Sequence, residues 1–265
     1  MHQSLIGDSP NTPAVSAGPH ISGIAQKIAT AISVGMLSVG ERLPPEADLA
    51  GQFGIAVATL RKALAELRAE GIVETRRGRN GGTFVVQAPF PSGDTLSASL
   101  MRTSTTALRD FFDEHAAVSG MAAQLAAERT PPEARTRLAE FAFLAREART
   151  VRDRSLADSR FHFEVAVLSQ SQRLLTAEQR LQSELSPFLW SDAICRASVQ
   201  RAFSEHLDIV MAIEQRDARR AQDLAVAHVR GNMRLIIDGK IALNRRAVAG
   251  RAGDSAGDST NEGER

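Results

Sequence analysis

Asp158 and His162 stand four residues apart in the run Asp158-Ser159-Arg160-Phe161-His162. On a helix such residues share a face, so a carboxylate and an imidazole at this spacing can grip one ion together. Two further histidines, His206 and His228, read as lying on two successive later helices. Three imidazoles and one carboxylate drawn from three helices suit a divalent ion such as Zn, Ni, Co or Mn. Taken singly, each of these histidines also reads as a surface or hydrogen-bonded residue. A bound metal with open positions can activate water for hydrolysis, or can serve only to hold a dimer together. No general base is evident beside the quartet, which weighs against the hydrolase.

A second constellation is cationic. Arg76, Arg77 and Arg79 crowd a glycine-rich stretch that runs through Asn80 to Gly81 and Gly82. Upstream, Thr59, Arg61 and Lys62 open a short helical pattern behind the turn residue Gly54. Arginine's planar fork suits guanine or phosphate, and glycines let a backbone approach a duplex closely. An arginine-rich loop alone also reads as a solvated hairpin tip. A helix-turn-helix directly ahead of it makes a groove reader the stronger reading.

The elements that must position these residues fall into two groups. Ile21, Ile24, Ile28, Ile32 and Met36 recur at helical spacing over about 20–37. A second helix is expected over about 45–52 and a third over about 57–70, the latter burying Leu60, Leu64 and Leu67 and stopping at Gly71. Residues 72–75 and 83–86 read as two short strands. Helix, helix, turn, helix and β-hairpin is the winged helix-turn-helix order. A linker over 88–93 contains Pro89 and Pro91, and an Ala-rich region of helical period follows over 94–245. Six or seven helices in an antiparallel bundle are expected there, so the fold class is mainly α. Thr130 is expected to cap the helix after it, and a break is expected near 215–217. Residues 1–19 and 246–265 read as disordered tails, with little to bury.

Composition narrows the class. The chain has 265 residues, 43% hydrophobic and 24% charged, enough for two cores of ordinary size. A formal charge of +1 argues against a wholly basic binder, so the cations matter by their clustering. No apolar run reaches membrane-spanning length and no signal-like segment opens the chain. The single cysteine, Cys195, fits a reducing compartment, and a cytoplasmic location is expected. Trp190 suits either a cavity wall or a dimer seam, whereas Phe161, Phe163, Leu168, Leu174, Leu181 and Leu185 read as core.

Residues 36–86 resemble the GntR family of bacterial regulators. The resemblance rests on Met36 to Glu46, on Ala63-Leu64-Ala65-Glu66-Leu67-Arg68-Ala69-Glu70-Gly71 and on Gly82-Thr83-Phe84-Val85. Departures stand at Pro45, Ala47, Ala56 and Val57, where the family usually or often carries serine or arginine. The resemblance thus implies DNA binding with an altered operator preference, leaning on Arg61, Lys62 and the wing. Asp158 to His162, Glu205-His206 and Ala227-His228 resemble the FCD effector domain of the FadR-type subfamily. That resemblance implies a divalent metal on Asp158, His162, His206 and His228 beneath a ligand cavity. His115 stands where the subfamily usually has an arginine placed to meet an acidic effector, and Arg160 is a second candidate cation. The function implied is a homodimeric repressor on a double-stranded DNA operator, released by a small organic acid or sugar acid that changes the dimer geometry.

Overall fold

The computed structural model describes residues 23–79, 81–131, 136–191 and 199–257. The tail over 1–19, Asn80 and Cys195 lie outside them. The chain begins with α1 (Gly23–Ser33), whose buried face is Ala25, Ile28, Ala29, Ala31 and Ile32. Next come α2 (Glu46–Gln52) and α3 (Val57–Ala69). Glu46 and Asp48 in the first turn of α2 complement its dipole. Gly54 takes the positive φ of 61° that the turn between them requires. Ala56 gives α3 no side-chain cap, as its lack of a hydroxyl implies. Leu60, Ala63, Leu64 and Leu67 seat α3 against α1 and α2.

The hairpin pairs β1 (Val73–Arg76) with β2 (Gly82–Val85) in antiparallel register, Val73 opposite Val85 and Arg76 opposite Gly82. A third extended segment joins them, unforeseen from the sequence. Leu43 N donates to Thr83 O at 2.8 Å and Gly40 N to Val85 O at 2.8 Å, with Arg42 bridging Phe84. Proline-rich surroundings hid this strand, because its register depends on β2 and not on any local pattern.

Seven helices follow among the described residues: α4 (Gly93–Arg102), α5 (Thr105–Arg129), α6 (Thr136–Glu147), α7 (Val151–Leu168), α8 (Gln172–Leu189), α9 (Val199–Glu214) and α10 (Ala218–Gly257). Ser92, Ser104, Thr150 and Ser171 cap α4, α5, α7 and α8 by accepting backbone N–H groups. The Thr130 hydroxyl donates to the Leu168 carbonyl at 3.1 Å, tying the ends of α5 and α7, while residues 132–135, which the expected cap concerns, lie outside the described residues. Gly120 lets α5 and α10 approach closely, since a Cβ there would sit 2.7 Å from Val226 Cγ2. Helix α10 runs on to Gly257, through much of the stretch over 246–265 expected to be a tail. Ala and Arg at positions such as Arg245, Arg246 and Ala247 are good helix formers, and a nucleated helix propagates without a core to bury into. No helix among the described residues is long and apolar enough to cross a membrane.

The segment after α1 touches both halves of the molecule. Val34 belongs to the core of the helical bundle, and Met36 packs against both cores. From the other side, Leu156 of α7 packs against the N-terminal core. Arg160 Nη2 donates to Ser38 Oγ at 2.7 Å. Gly35, at φ 79°, leaves just enough room, because a Cβ there would meet Arg160 Nε at 3.1 Å.

Candidate metal centre and nucleic-acid interface

Helix α7 supplies Asp158 and His162, α9 supplies His206 and α10 supplies His228. One ligand atom from each of the three histidines lies within 4.8 Å of the others, and all three side chains are buried. Phe161 stacks on His206 with centroids 3.9 Å apart, fixing that ring in place. Asp158 stands at the edge of the trio, its Oδ1 3.7 Å from His206 Nε2. Asp158 Oδ2 and His206 Nε2 are buried without a hydrogen-bond partner. Buried polar atoms are nearly always satisfied, so two such unpartnered atoms in an imidazole cluster fit the binding of a cation. The donor set of three imidazoles and a carboxylate suits a borderline divalent metal of the Zn, Ni, Co or Mn kind.

His228 is the most firmly held of the three. Its Nδ1 donates to Glu205 Oε2 at 2.7 Å, which leaves Nε2 as the accepting nitrogen, the one that a cation would have to take from the Asn232 amide. Arg201 clamps Glu205 through Nη1 at 2.7 and 2.8 Å, and its Nη2 donates to Asn232 Oδ1 at 3.0 Å. Asn232 Nδ2 lies 3.0 Å from His228 Nε2, closing the ring of bonds. Gly231 makes room for the clamp, because a Cβ there would come within 2.7 Å of Arg201 Nη1. Glu205 and Arg201 lie four residues apart, a spacing that marks a helix-face pair but says nothing of the histidine that Glu205 meets from α10.

Protonation follows from burial. Desolvation pushes Asp158 up to about 6, against the pull of His228 and the Trp190 indole beside it. Burial, helped by His228, holds His162 down at about 3 and His206 well below the usual imidazole range. Folded and metal-free, His162 and His206 therefore stay uncharged while the unfolded chain takes up those two protons below pH 6.5. Falling pH then favours unfolding through His162 and His206. Asp158 works the other way between about 6 and 3.8, where the folded state binds its proton first. The two histidines outweigh the one acid, so chelated protein is expected to lose roughly 2 kcal/mol of stability between pH 7 and 5.5. Urea midpoints in the presence of chelator measure this, and a His162→Gln/His206→Gln variant should flatten the profile.

Neither candidate effector cation stands free in the chamber. Arg160 points away from the centre, to Ser38, because it lies on the opposite face of α7 from Asp158 and His162. His115 does face inward, fully buried, but its Nε2 bonds Glu178 Oε1 at 3.1 Å. Glu178 also accepts from Ser119 Oγ at 2.8 Å and Gln182 Nε2 at 3.0 Å, and lies 3.9 Å from His162 Nδ1. Burial alone would raise the Glu178 carboxyl, but His115, His162 and Gln182 together hold it at about 2. Glu178 went unnoticed in the sequence, although a charged residue on the Leu175, Leu181 and Leu185 stripe of α8 was a readable signal. The cavity between Ser119, Phe161, His162, Glu178, Ile209 and His228 holds about 10 Å³, room for roughly one water. Trp190 is buried, with its indole beside Asp158, and packs in the apolar cluster of Leu185, Leu189 and Val229.

On the N-terminal side, Thr59, Arg61 and Lys62 are exposed along α3, and Arg77 and Arg79 are exposed at the hairpin. Arg61 Nε is tied to Glu46 Oε2 at 2.7 Å across the helix-turn-helix. Arg76 differs from the other hairpin cations. It pairs with Glu74 at 2.7 Å and its guanidinium sits 4.3 Å above the Phe84 ring. Arg42 lies over Gly82, whose missing side chain admits it, and brings an unforeseen cation to the wing.

Comparison with known proteins agrees with this geometry. Residues 21–85 match the model of the bacterial regulatory proteins of the gntR family, and residues 101–231 match the FCD domain. A Mycobacterium gastri protein named as the HTH-type transcriptional regulator RmpR is 46% identical over 222 residues, covering 83% of this chain and 81% of its own length. An Escherichia coli K12 protein named as an L-lactate dehydrogenase operon regulatory protein is 28% identical over 218 residues, covering 78% of this chain and 82% of its own. The solved structure of E. coli McbR/YncC shares the fold at TM-score 0.50 and 17% identity, over 81% of this chain and 95% of that one. Family and relatives alike are transcriptional regulators, which removes the hydrolase reading of the histidine cluster. The chain is a DNA-binding transcriptional regulator of the GntR family, FadR-like, with an FCD domain behind its winged helix-turn-helix.

Proposed function

We propose that this regulator is a cytoplasmic, homodimeric repressor whose operator affinity is set from the Asp158, His162, His206 and His228 centre. Its DNA-reading part spans 20–87 and its sensing and dimerising part 94–245, joined by the 88–93 segment. Thr59, Arg61, Lys62, Arg77, Arg79 and Asn80 would meet the operator, with Arg76 bracing the wing. A divalent cation held by the quartet would supply an anchor for a small oxygen-bearing ligand.

One observation carries the reading: α7 is shared between the centre and the seam. Asp158 and His162 lie on its inner face, and Leu156 and Arg160 on its outer face against Gly35 and Ser38. A shift of α7 that improves the grip of Asp158 and His162 must move the segment after α1, and with it the recognition helix. Ligand then biases two arrangements of the winged domains by its differential affinity for them.

Arg160→Ala is the corresponding test, since this side chain touches the seam and not the centre. Metal affinity is expected to stay within about twofold, while the difference in operator affinity between metal-loaded and chelated protein, about tenfold in the parent, collapses. Fluorescence anisotropy on an operator selected from genomic fragments reads both states. A variant that keeps the full metal response would overturn the route through α7.

A further inference from the structure

We infer that a second cavity, apart from the histidine centre, binds a phenol-sized aromatic molecule carrying one hydrogen-bond donor and adjusts operator binding through α4. The inference needs neither a metal nor the sensing role of the histidine centre, only DNA binding. The cavity lies between α4, α5, α8 and α10 and holds about 170 Å³. Ile236 on its wall stands eight residues beyond His228 on α10, about 12 Å along the axis. Among the described residues that line it, none is Asp158, His162, His206 or His228.

Leu100, Leu108, Phe111, Leu185 and Phe188 form the walls with Ile236. A dry apolar cavity of roughly 150 Å³ takes up benzene, so volume and lining together fit one ring. Phe111 and Phe112 meet edge to face with centroids 5.3 Å apart, so the wall offers an incoming ring both a face and an edge. The polar lining is confined to Ser99, Thr103 and Glu184, all half-buried. Thr103 Oγ1 spends its proton on the Ser99 carbonyl at 3.1 Å, which leaves it an acceptor toward the cavity. Glu184 Oε1 is reached by Arg180 Nη1 at a long 3.4 Å, because Arg180 turns its other nitrogen to Glu114. A ligand hydroxyl donating to the Glu184 carboxylate would make the shorter bond.

Occupancy reaches the DNA-binding half through α4. Ala88 belongs to the core of the winged domain, and Ser92 caps α4. Leu96 and Leu100 seat that helix on the apolar cluster that includes Phe112 and Leu185. Only residues 89–92 therefore separate the winged core from a helix that the ligand touches. Lys240 Nζ holds the other end of α4, donating to the Leu100 and Met101 carbonyls at 2.8 and 2.9 Å. Displacement of α4 is thus felt at its linker end.

Phenol and toluene differ by a hydroxyl against a methyl group and isolate the donor. Full-length protein, chelated or loaded with Zn²⁺, is titrated with each by calorimetry. Phenol is expected to bind at least as tightly as toluene, although water holds phenol more strongly, and Glu184→Leu should cut that ratio about fivefold or more. Ala107 is exposed where it lines the cavity, so Ala107→Phe should fill the mouth without disturbing the core, and weaken both ligands at least about tenfold. Chelation and His206→Ala should leave phenol affinity within about twofold. Saturating phenol should change operator affinity about fivefold or more in the parent protein, read by anisotropy, and not in Ala107→Phe. Phenol binding that survives Ala107→Phe, that falls with chelation or in His206→Ala, or that leaves operator affinity unchanged would overturn the proposal. So would an unchanged phenol-to-toluene ratio in Glu184→Leu. A dimer that Ala107→Phe converts to monomer would show that a second copy of the chain covers the mouth, and would overturn it as well.

Discussion

His206→Ala is expected to lower divalent-metal affinity by at least about 100-fold, because losing a ligand costs more than the roughly 10–100-fold typical of a supporting residue. The position is chosen for its geometry. His206 is 1% exposed, stacked on Phe161, and carries the unpartnered Nε2 nearest to Asp158. No flexible neighbour stands ready to replace it. In the parent protein, metal at about a thousand times its dissociation constant should add about 4 kcal/mol of stability, a rise of roughly 10 °C in Tm. In His206→Ala the same metal concentration, now no more than about ten times the dissociation constant, should shift Tm by no more than about 4 °C. Without metal the variant should fold, since removing an orphaned nitrogen offsets part of the lost stacking. The sole tryptophan, Trp190, lies against Asp158, so metal titrations can be followed by its fluorescence. A metal-dependent rise in Tm that survives in the variant would place the ion elsewhere.

The second large effect concerns DNA. Arg61→Ala, Arg77→Ala and Arg79→Ala combined should cost at least about 100-fold in operator affinity, at roughly 1–3 kcal/mol for a base-reading arginine and less for each phosphate contact. The salt dependence of binding should also fall, by about one unit of log–log slope per phosphate contact removed. Arg76→Ala is the internal contrast. Its guanidinium is engaged by Glu74 and Phe84, so its loss should weaken binding only a few-fold, through a looser hairpin. Conversely, Glu46→Gln frees Arg61 from its tie at 2.7 Å and should raise affinity slightly. Anisotropy titrations at two salt concentrations separate these effects. Equal losses for Arg76→Ala and the triple variant would show that the hairpin geometry, rather than its exposed cations, carries the affinity.

Local rules made much of this molecule legible. The apolar stripe of Ile28 and Ile32, the Gly54 turn, the Leu60, Leu64 and Leu67 face and the Gly71 stop each depend on neighbours within one or two turns of helix, and the structure follows them. So does the pairing of 73–76 with 82–85, which only needed two short β-prone runs and a glycine-rich tip. The expected six or seven helices, seven among the described residues, and the break near 215–217 came from the same periodicity, because helices form where one stripe can be buried. The third extended segment at 40–43 and the helical course of 246–257 were not legible. The first depends on β2 as a partner, and the second on a helix already nucleated upstream.

The histidine cluster divides along the same line. The sequence by itself determined which residue types were available, since spacing alone puts Asp158 and His162 on one face of α7. Only the tertiary structure decided that His206 and His228 meet them, because that depends on how α9 and α10 pack around α7. It also decided where Arg160 points, since two residues of helical rotation carry it to the opposite face and into the seam with Ser38. Glu178, 63 residues from His115 along the chain, became its partner through packing of α8 against α5. A helix fixes the relation of residues within a turn or two of each other, and the burial of its apolar face fixes the rest. For that reason the candidate metal ligands could be read in order along the chain, while the charge they face could not.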